Sequence, residues 1–315
     1  MTAILYALTV VIWGTTWIAL KLQLGSVPIP WSIAWRFALA AVVLFAWLAA
    51  RGRLRLPRRE VRWLVAAQGL CLFCVNFICF LNASRTIASG LVAVVFSTAT
   101  LWNALGARLV FKRALTPTII GGGALGLGGL LLMFWPELAR HGASADTWRG
   151  LAFALGGTLC FSVGNLLSAR MQALGETPVL TNAWGMAVGT VALAAGCAAF
   201  GVAPAFDMSP TYVGAWLYLA IPGSVIGFTA YLLLVGRLGP ERAAYCTVLF
   251  PLVALAISSV VEDYRWTPAA LAGLVLVMAG NVLVFRRAAP RAVSVASQAR
   301  EDARERKVKP FPQRR

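Results

Sequence analysis

Ten apolar runs, each about 20 residues long, take up most of this 315-residue chain. They fall at roughly 3–24, 31–50, 62–82, 87–109, 117–135, 149–170, 178–200, 212–235, 241–260 and 268–286. A helix needs about 20 apolar residues to cross the hydrocarbon of a bilayer. The predicted fold is therefore an all-α membrane protein with ten transmembrane helices. Composition agrees, at 60% hydrophobic and 12% charged residues with a mean hydropathy of +0.77. The first run starts at Thr2, is too long for a signal-peptide core and lacks a basic leader, so it reads as a retained span.

The net charge of +17 invites a nucleic-acid reading, which the position of the charges excludes. The 28 Lys and Arg cluster in short connections and in the C-terminal tail. The connections after spans 2, 4, 6 and 8 hold twelve of them: Arg51, Arg53, Arg55, Arg58, Arg59, Arg62, Arg108, Lys112, Arg113, Arg170, Arg237 and Arg242. The opposite connections hold four, namely Arg85, Arg140, Arg149 and Arg265. Positively charged connections stay in the cytoplasm, so both termini are predicted to be cytoplasmic. A further ten Lys/Arg lie between Arg286 and Arg315. That basic tail, residues 288–315, is expected to be disordered and to lie on anionic lipid headgroups.

Six cysteines all fall inside apolar runs, where they serve as small apolar filler, and the single histidine, His141, has no partners for a metal site. No phosphate-binding glycine loop and no nucleophile–base set is present. No cofactor, metal or catalytic residue is expected, and the chain does not read as an enzyme.

The chain matches itself. A shift of 151 residues sets Phe77 on Phe228, Phe80 on Tyr231, Leu101 on Leu252, Thr116-Pro117 on Thr267-Pro268 and Gly129 on Gly280. A shift of 149 sets Lys21 on Arg170 and Ala34-Trp35 on Ala183-Trp184. Five spans is an odd number, so the second copy enters the membrane from the other side. This predicts two inverted five-helix repeats, residues 1–136 and 148–287, the plan that supports alternating access to a midplane site.

Specific residues now carry a resemblance. Trp13-Gly14-Thr15-Thr16-Trp17-Ile18-Ala19 followed by Lys21, Arg36 in span 2, and the Thr116-Pro117 to Gly122 segment resemble the drug/metabolite transporter superfamily, EamA-type. Within it the chain looks most like the bacterial aromatic amino acid exporter branch. The resemblance covers about residues 1–287 and implies that spans 1, 3, 4, 6, 8 and 9 line a central cavity. One departure is plain: such repeats carry a Gly-Glu-x-x-Thr turn before spans 5 and 10. Repeat 2 keeps Glu262 near Thr267, whereas repeat 1 has Phe111-Lys112-Arg113.

Polar and aromatic residues inside spans point to a pathway, because they are costly against lipid. Span 1 sets Trp13, Trp17 and Lys21 on one stripe. The candidate substrate-binding residues are Trp17, Asn76, Phe80, Thr98, Trp102, Asn103, Phe161, Asn165, Phe228, Tyr231 and Tyr245, with Lys21 and Arg170 as gating or pathway charges. The other reading is that Trp and Tyr mark interfaces and that hydroxyls bond back to their own helix. The interfacial reading is preferred for Trp13, Trp31, Trp35 and Trp63. Spans 5, 7 and 10 carry small-residue patterns such as Gly122-x-x-x-Gly126 and Gly185-x-x-x-Gly189, which read as close helix packing.

Aromatic walls with amides and hydroxyls suit a zwitterion bearing an apolar ring. All eleven Asp and Glu lie in connections or the tail, so no span carries a proton-coupling carboxylate. Lys21, Arg36 and Arg170 are read as lying near span ends, with Lys21 reaching out to water. The expected function is facilitative export of small amphipathic metabolites, aromatic and other apolar amino acids foremost, across a bacterial inner membrane. The alternatives left open are a drug or nucleotide-sugar transporter of the same fold, or a channel. Expected partners are a small-molecule substrate and membrane lipid, with the oligomeric state left open.

Overall fold

The computed structural model describes residues 2–111, 117–141, 144–239, 243 and 246–287, and the regular structure among them is helical throughout. Lipid offers the backbone no hydrogen bonds, so a spanning chain must satisfy its own N–H and C=O groups. The helices are α1 (Thr2–Leu22), α2 (Ile29–Ala50), α3 (Arg62–Leu70), α4 (Asn76–Ala83), α5 (Ser89–Ser97), α6 (Ala99–Phe111), α7 (Pro117–His141), α8 (Ala145–Ala173), α9 (Pro178–Ala199), α10 (Pro210–Tyr218), α11 (Gly227–Leu238), α12 (Cys246–Val261) and α13 (Pro268–Arg287). Among the described residues, seven continuous helical stretches are long and apolar enough to cross a membrane: Thr2–Leu22, Ile29–Ala50, Arg59–Ala83, Ser89–Val110, Ala145–Ala173, Pro178–Ala199 and Pro210–Leu238. Three shorter apolar helical segments accompany them: Ile120–Met133, Leu249–Val261 and Pro268–Leu283. The tail and Tyr245 lie outside the described residues.

Local sequence explains where helices start. Pro117, Pro178, Pro210 and Pro268 each open a helix, at the turn where a missing N–H removes nothing. The Ser144 hydroxyl caps α8 by accepting from the Thr147 N–H at 3.2 Å, and Ser209 caps α10 through Tyr212.

Among the described residues, two stretches take π spacing, and a short 3-10 turn, Arg59–Val61, precedes α3. A π turn, Cys71–Val75, joins α3 to α4, and another, Leu219–Ile226, joins α10 to α11. The second contains Pro222, which has no N–H to give to an i→i−4 bond. The 151-residue shift that aligns the two halves superimposes Cys71 on Pro222, so the irregularity recurs at matching positions.

The surface is apolar and the interior holds polar groups. Ile4, Val11, Leu131, Val191 and Val275 are each more than half exposed, while Arg36, Asn76, Asn103 and Asn165 are buried. Apolar side chains facing outward, with polar groups set among an otherwise apolar interior, are what a lipid solvent selects.

The small-residue stripes hold helices in close contact. α7 packs along α13, and α9 packs against α2 and α3. A Cβ added at Gly129 would meet the Gly273 carbonyl oxygen at 2.5 Å, and one added at Gly69 would meet that of Gly185 at the same distance. These backbones touch because no side chain separates them. We expect Gly129→Leu to lower the melting temperature in detergent, with overpacking costing about 1–3 kcal/mol. Gly128→Leu, where an added Cβ meets nothing within 4 Å, is the control and should melt like wild type.

Candidate functional site

Trp13, Thr16, Trp17 and Leu20 share one face of α1, at i, i+3, i+4 and i+7. That face looks into a central cavity of about 30 Å³. Arg36 from α2, Asn76, Phe77 and Phe80 from α4, Phe96 from α5, Phe161 from α8 and Phe228 from α11 complete its wall. A volume this small holds about one water molecule, so the rings themselves fill most of the site.

The rings touch edge to face. Trp13 meets Phe228 at 4.8 Å and Phe161 at 6.0 Å between centroids, and lies tilted over Tyr231 at 4.9 Å. Trp17 meets Phe80 at 5.4 Å and Phe96 at 5.2 Å, and Phe96 meets Phe161 at 4.6 Å. The network runs on through Phe37, Phe73 and Phe250. Trp13, read from sequence as an interfacial residue, is in fact 6% exposed, with its indole N–H donating to the Gly223 carbonyl at 3.0 Å.

Arg36 corrects the sequence reading most. Expected near a span end, it is 2% exposed and lines the cavity. Its neighbours explain the difference: the second π turn and the rings of Phe37 and Phe77 surround it, and on the same stretch Trp31 and Trp35 tie down the start of α2. Their indole N–H groups donate to the carbonyls of Val202 and Ala205, folding the 201–209 connection over the start of α2. The Arg36 Nε donates to the Ser224 hydroxyl at 2.9 Å, and that hydroxyl donates to the Leu219 carbonyl within the second π turn. The guanidinium lies over the rings of Phe77 and Phe37, at 4.3 and 4.9 Å.

Of the residues singled out from sequence, Trp17, Asn76, Phe80, Phe161 and Phe228 are brought together in the cavity wall. Asn165 and Tyr231 sit just behind it, the amide donating to the phenol oxygen at 3.0 Å. Thr98, Trp102 and Asn103 are not part of the wall. The Thr98 hydroxyl donates to the carbonyl of Val95 in its own helix. The Trp102 indole N–H and both polar atoms of the buried Asn103 side chain have no hydrogen-bond partner among the described residues. Tyr245 lies outside the described residues, and Arg170 is exposed at the end of α8. Sequence reasoning passed over Phe96 and underrated Trp13 and Arg36. The signal for Arg36 was available, as the one charge well inside the second apolar run.

Ion pairs close the two ends of the helical bundle. Lys21 Nζ lies 2.5 Å from Glu262, and the carboxylate also accepts from the Ser89 N–H at 3.2 Å and from the hydroxyls of Ser89 and Ser258. The ends of α1 and α12 are thereby tied to the start of α5. Lys21 thus meets a carboxylate rather than water alone. Burial acts to raise the Glu262 carboxyl, but Lys21, Ser258 and Ser89 together hold it below the usual carboxylate range. At the other end of the 59–83 helical stretch, Arg55 grips Glu176 with both terminal nitrogens, at 2.6 and 3.3 Å. The Arg58 N–H adds a bond at 3.1 Å. Burial pushes the Glu176 carboxyl up, and the hydrogen bonds from Arg55 and Arg58 outweigh it, leaving it lowered.

The structure thus places a small aromatic cavity inside a bundle of long apolar helices, with ion pairs at either end. Comparison with known proteins gives the family. Residues 1–135 and 148–286 each match the EamA-like transporter family, and the chain belongs to it. The probable amino-acid metabolite efflux pump of Escherichia coli strain K12 is 24% identical over 93% of this chain and 98% of its own. Protein PagO of Salmonella typhimurium is 21% identical over 96% and 97%. The uncharacterized inner membrane transporter YedA of Escherichia coli strain K12 is 27% identical over 79% of each. A solved crystal structure superposes with a TM-score of 0.65 at 18% identity, covering 92% of this chain and 99% of that one, and so shares the fold.

Glu176 generates a prediction with a definite sign. Its carboxyl is lowered in the folded protein, so its contribution to stability is complete above the ordinary carboxylate pKa and is lost as pH falls through the lowered value. Glu176→Gln should destabilise the protein at neutral pH by about 1–2 kcal/mol, since both arginines are half exposed. Thermal melts should show a gap between wild type and variant that is constant from neutral pH down to about pH 5 and then narrows as pH falls from about 5 towards 3. A gap that stays constant over that lower range contradicts the assignment.

Proposed function

We propose that this protein is an inner-membrane exporter of small amphipathic metabolites, aromatic and other apolar amino acids foremost, working by alternating access through the central cavity. The observation that carries this reading is the cavity wall itself. It is built of Trp13, Trp17 and five phenylalanine rings, with a guanidinium and an amide set among them. Aromatic faces stack on a substrate ring, at about 0.5–1.5 kcal/mol per pair beyond burial, and the polar groups suit the charged ends of an amino acid. The efflux-pump name of the Escherichia coli relative and the inner-membrane name of another favour the same substrate class and location.

The architecture we propose is ten crossings in two inverted five-helix repeats, residues 1–136 and 148–287, with both termini and the basic tail in the cytoplasm. The twofold family match and the recurrence of the π turn at shift-related positions support it. The Lys/Arg asymmetry would then put the Lys21–Glu262 pair at the external end and the Arg55–Glu176 pair at the cytoplasmic end. Release of one pair at a time, with the rings parting to admit substrate, is the alternating-access cycle in its simplest form. A channel is disfavoured by the closed ring packing. A phosphorylated substrate is disfavoured because the wall offers one cation against a divalent anion.

Transport is facilitative in this reading. Glu262, paired with Lys21 at the end of α1, has its carboxyl held low, so it stays ionised across neutral pH and trades no proton there. Proteoliposomes preloaded with L-phenylalanine should show counterflow of labelled L-phenylalanine. An imposed pH or sodium gradient without a substrate imbalance should drive no accumulation. Trp17→Ala should raise KM about tenfold while the amount of folded protein is unchanged. Uphill accumulation under either gradient, or no movement of any apolar amino acid, contradicts the proposal.

A further inference from the structure

A buried cation needs a counter-charge. Arg36 is 2% exposed, yet among the described residues no Asp or Glu lies within ion-pair distance of it. Its Nε is satisfied by Ser224, but its Nη1 is buried with no hydrogen-bond partner. Leaving such a group unpaired is expensive in a low-dielectric interior. Two more wall groups share the condition: the Trp17 indole N–H and the Asn76 amide oxygen are buried and unpartnered. The three form a set of two donors, one of them cationic, and one acceptor.

We infer that Arg36 is the carboxylate anchor of the transport site, so that the substrate class is defined by a carboxylate beside an apolar body. This rests on the export reading above and deepens it. The substrate carboxylate takes the free Nη1 donor and the Trp17 indole N–H, and the substrate ammonium donates to the Asn76 amide oxygen. Charge-assisted bonds to a planar guanidinium are about twice as strong as neutral ones, so the carboxylate dominates selection. Ser224 is a positioning residue. It holds Nε and so fixes the plane of the guanidinium, and the second π turn places it there. The Phe77 and Phe37 faces offset the burial of the cation while the site is empty. Ser32, one helical turn earlier on α2, bonds to Tyr212 instead at 2.8 Å and is not part of the anchor.

The test compares three solutes in proteoliposomes holding the full-length protein: L-phenylalanine, its decarboxylated amine phenethylamine, and 3-phenylpropionate, which keeps the carboxylate and lacks the amine. The wild type should move L-phenylalanine and 3-phenylpropionate, and phenethylamine at least about 10-fold less well in kcat/KM. Arg36→Gln should abolish that preference by slowing the two carboxylates to the rate of the amine. Arg36→Lys should keep the preference with a higher KM, as a point charge lacking the planar fork. If Arg36→Gln fails to fold, the wild-type solute ranking still decides. Wild type moving the amine as fast as the amino acid overturns the anchor and leaves the export reading standing. Wild type moving none of the three overturns both.

Discussion

Edge-to-face packing of aromatic rings at the centre of the bundle is the contact on which the other elements depend. In lipid, apolar helices gain little from hiding apolar surface from one another, because acyl chains are as apolar as leucine. Association must come from shape and polar contacts. Trp13 alone touches Phe161, Phe228, Tyr231 and Phe250, so it joins α1 to α8, α11 and α12. Trp17 adds α4 and α5 through Phe80 and Phe96. The π turns precede Phe77 and Phe228, and each turn resets the register of the side chains after it. Glycine contacts between α7 and α13 and between α3 and α9 tighten the layers outside the rings.

A cluster of this kind is also a device for occlusion. Its rings fill the site when no ligand is there, leaving room for about one water. The polar end pairs, Lys21–Glu262 and Arg55–Glu176, are the remaining restraints, and both involve a partner that is at least a third exposed to solvent. Each pair joins a buried carboxylate to a part-exposed cation, so opening it costs more than breaking a surface pair and less than breaking a fully buried one. A substrate that replaces ring–ring contacts with ring–substrate contacts, and meets the unpartnered donors of Arg36 and Trp17, would compensate for the opening.

Much of this was legible in the sequence because the membrane imposes simple rules. Proline marks where α7, α9 and α13 begin, and glycine spacing marks the stripes where backbones touch. Trp17, Asn76, Phe80, Phe161 and Phe228 could be named as inward-facing because polar or bulky residues at helical spacing seek the interior. What the pattern hid were contacts made by connections. Trp31 and Trp35 draw the 201–209 connection over the start of α2, while Ser224 in the second π turn and the rings of Phe37 and Phe77 surround Arg36 itself. Thr98 looked available and bonds to its own helix, while Asn165 gives its amide donor to Tyr231. Glu262 looked like a connection residue and reaches back to three helices, because it follows the last turn of α12 directly.

The central claim is that the aromatic cavity is where the substrate sits, and locating a heavy atom tests it most directly. 4-Bromo-L-phenylalanine carries an anomalous scatterer on the ring that should stack among Trp17, Phe80 and Phe161. A crystal structure of the protein with this compound should show one bromine peak within the ring cluster, the rings displaced outward, and the carboxylate on Arg36. Bromine found only in the apolar cleft lined by Leu127, Leu131 and Trp148, with the central rings unmoved, would contradict the account.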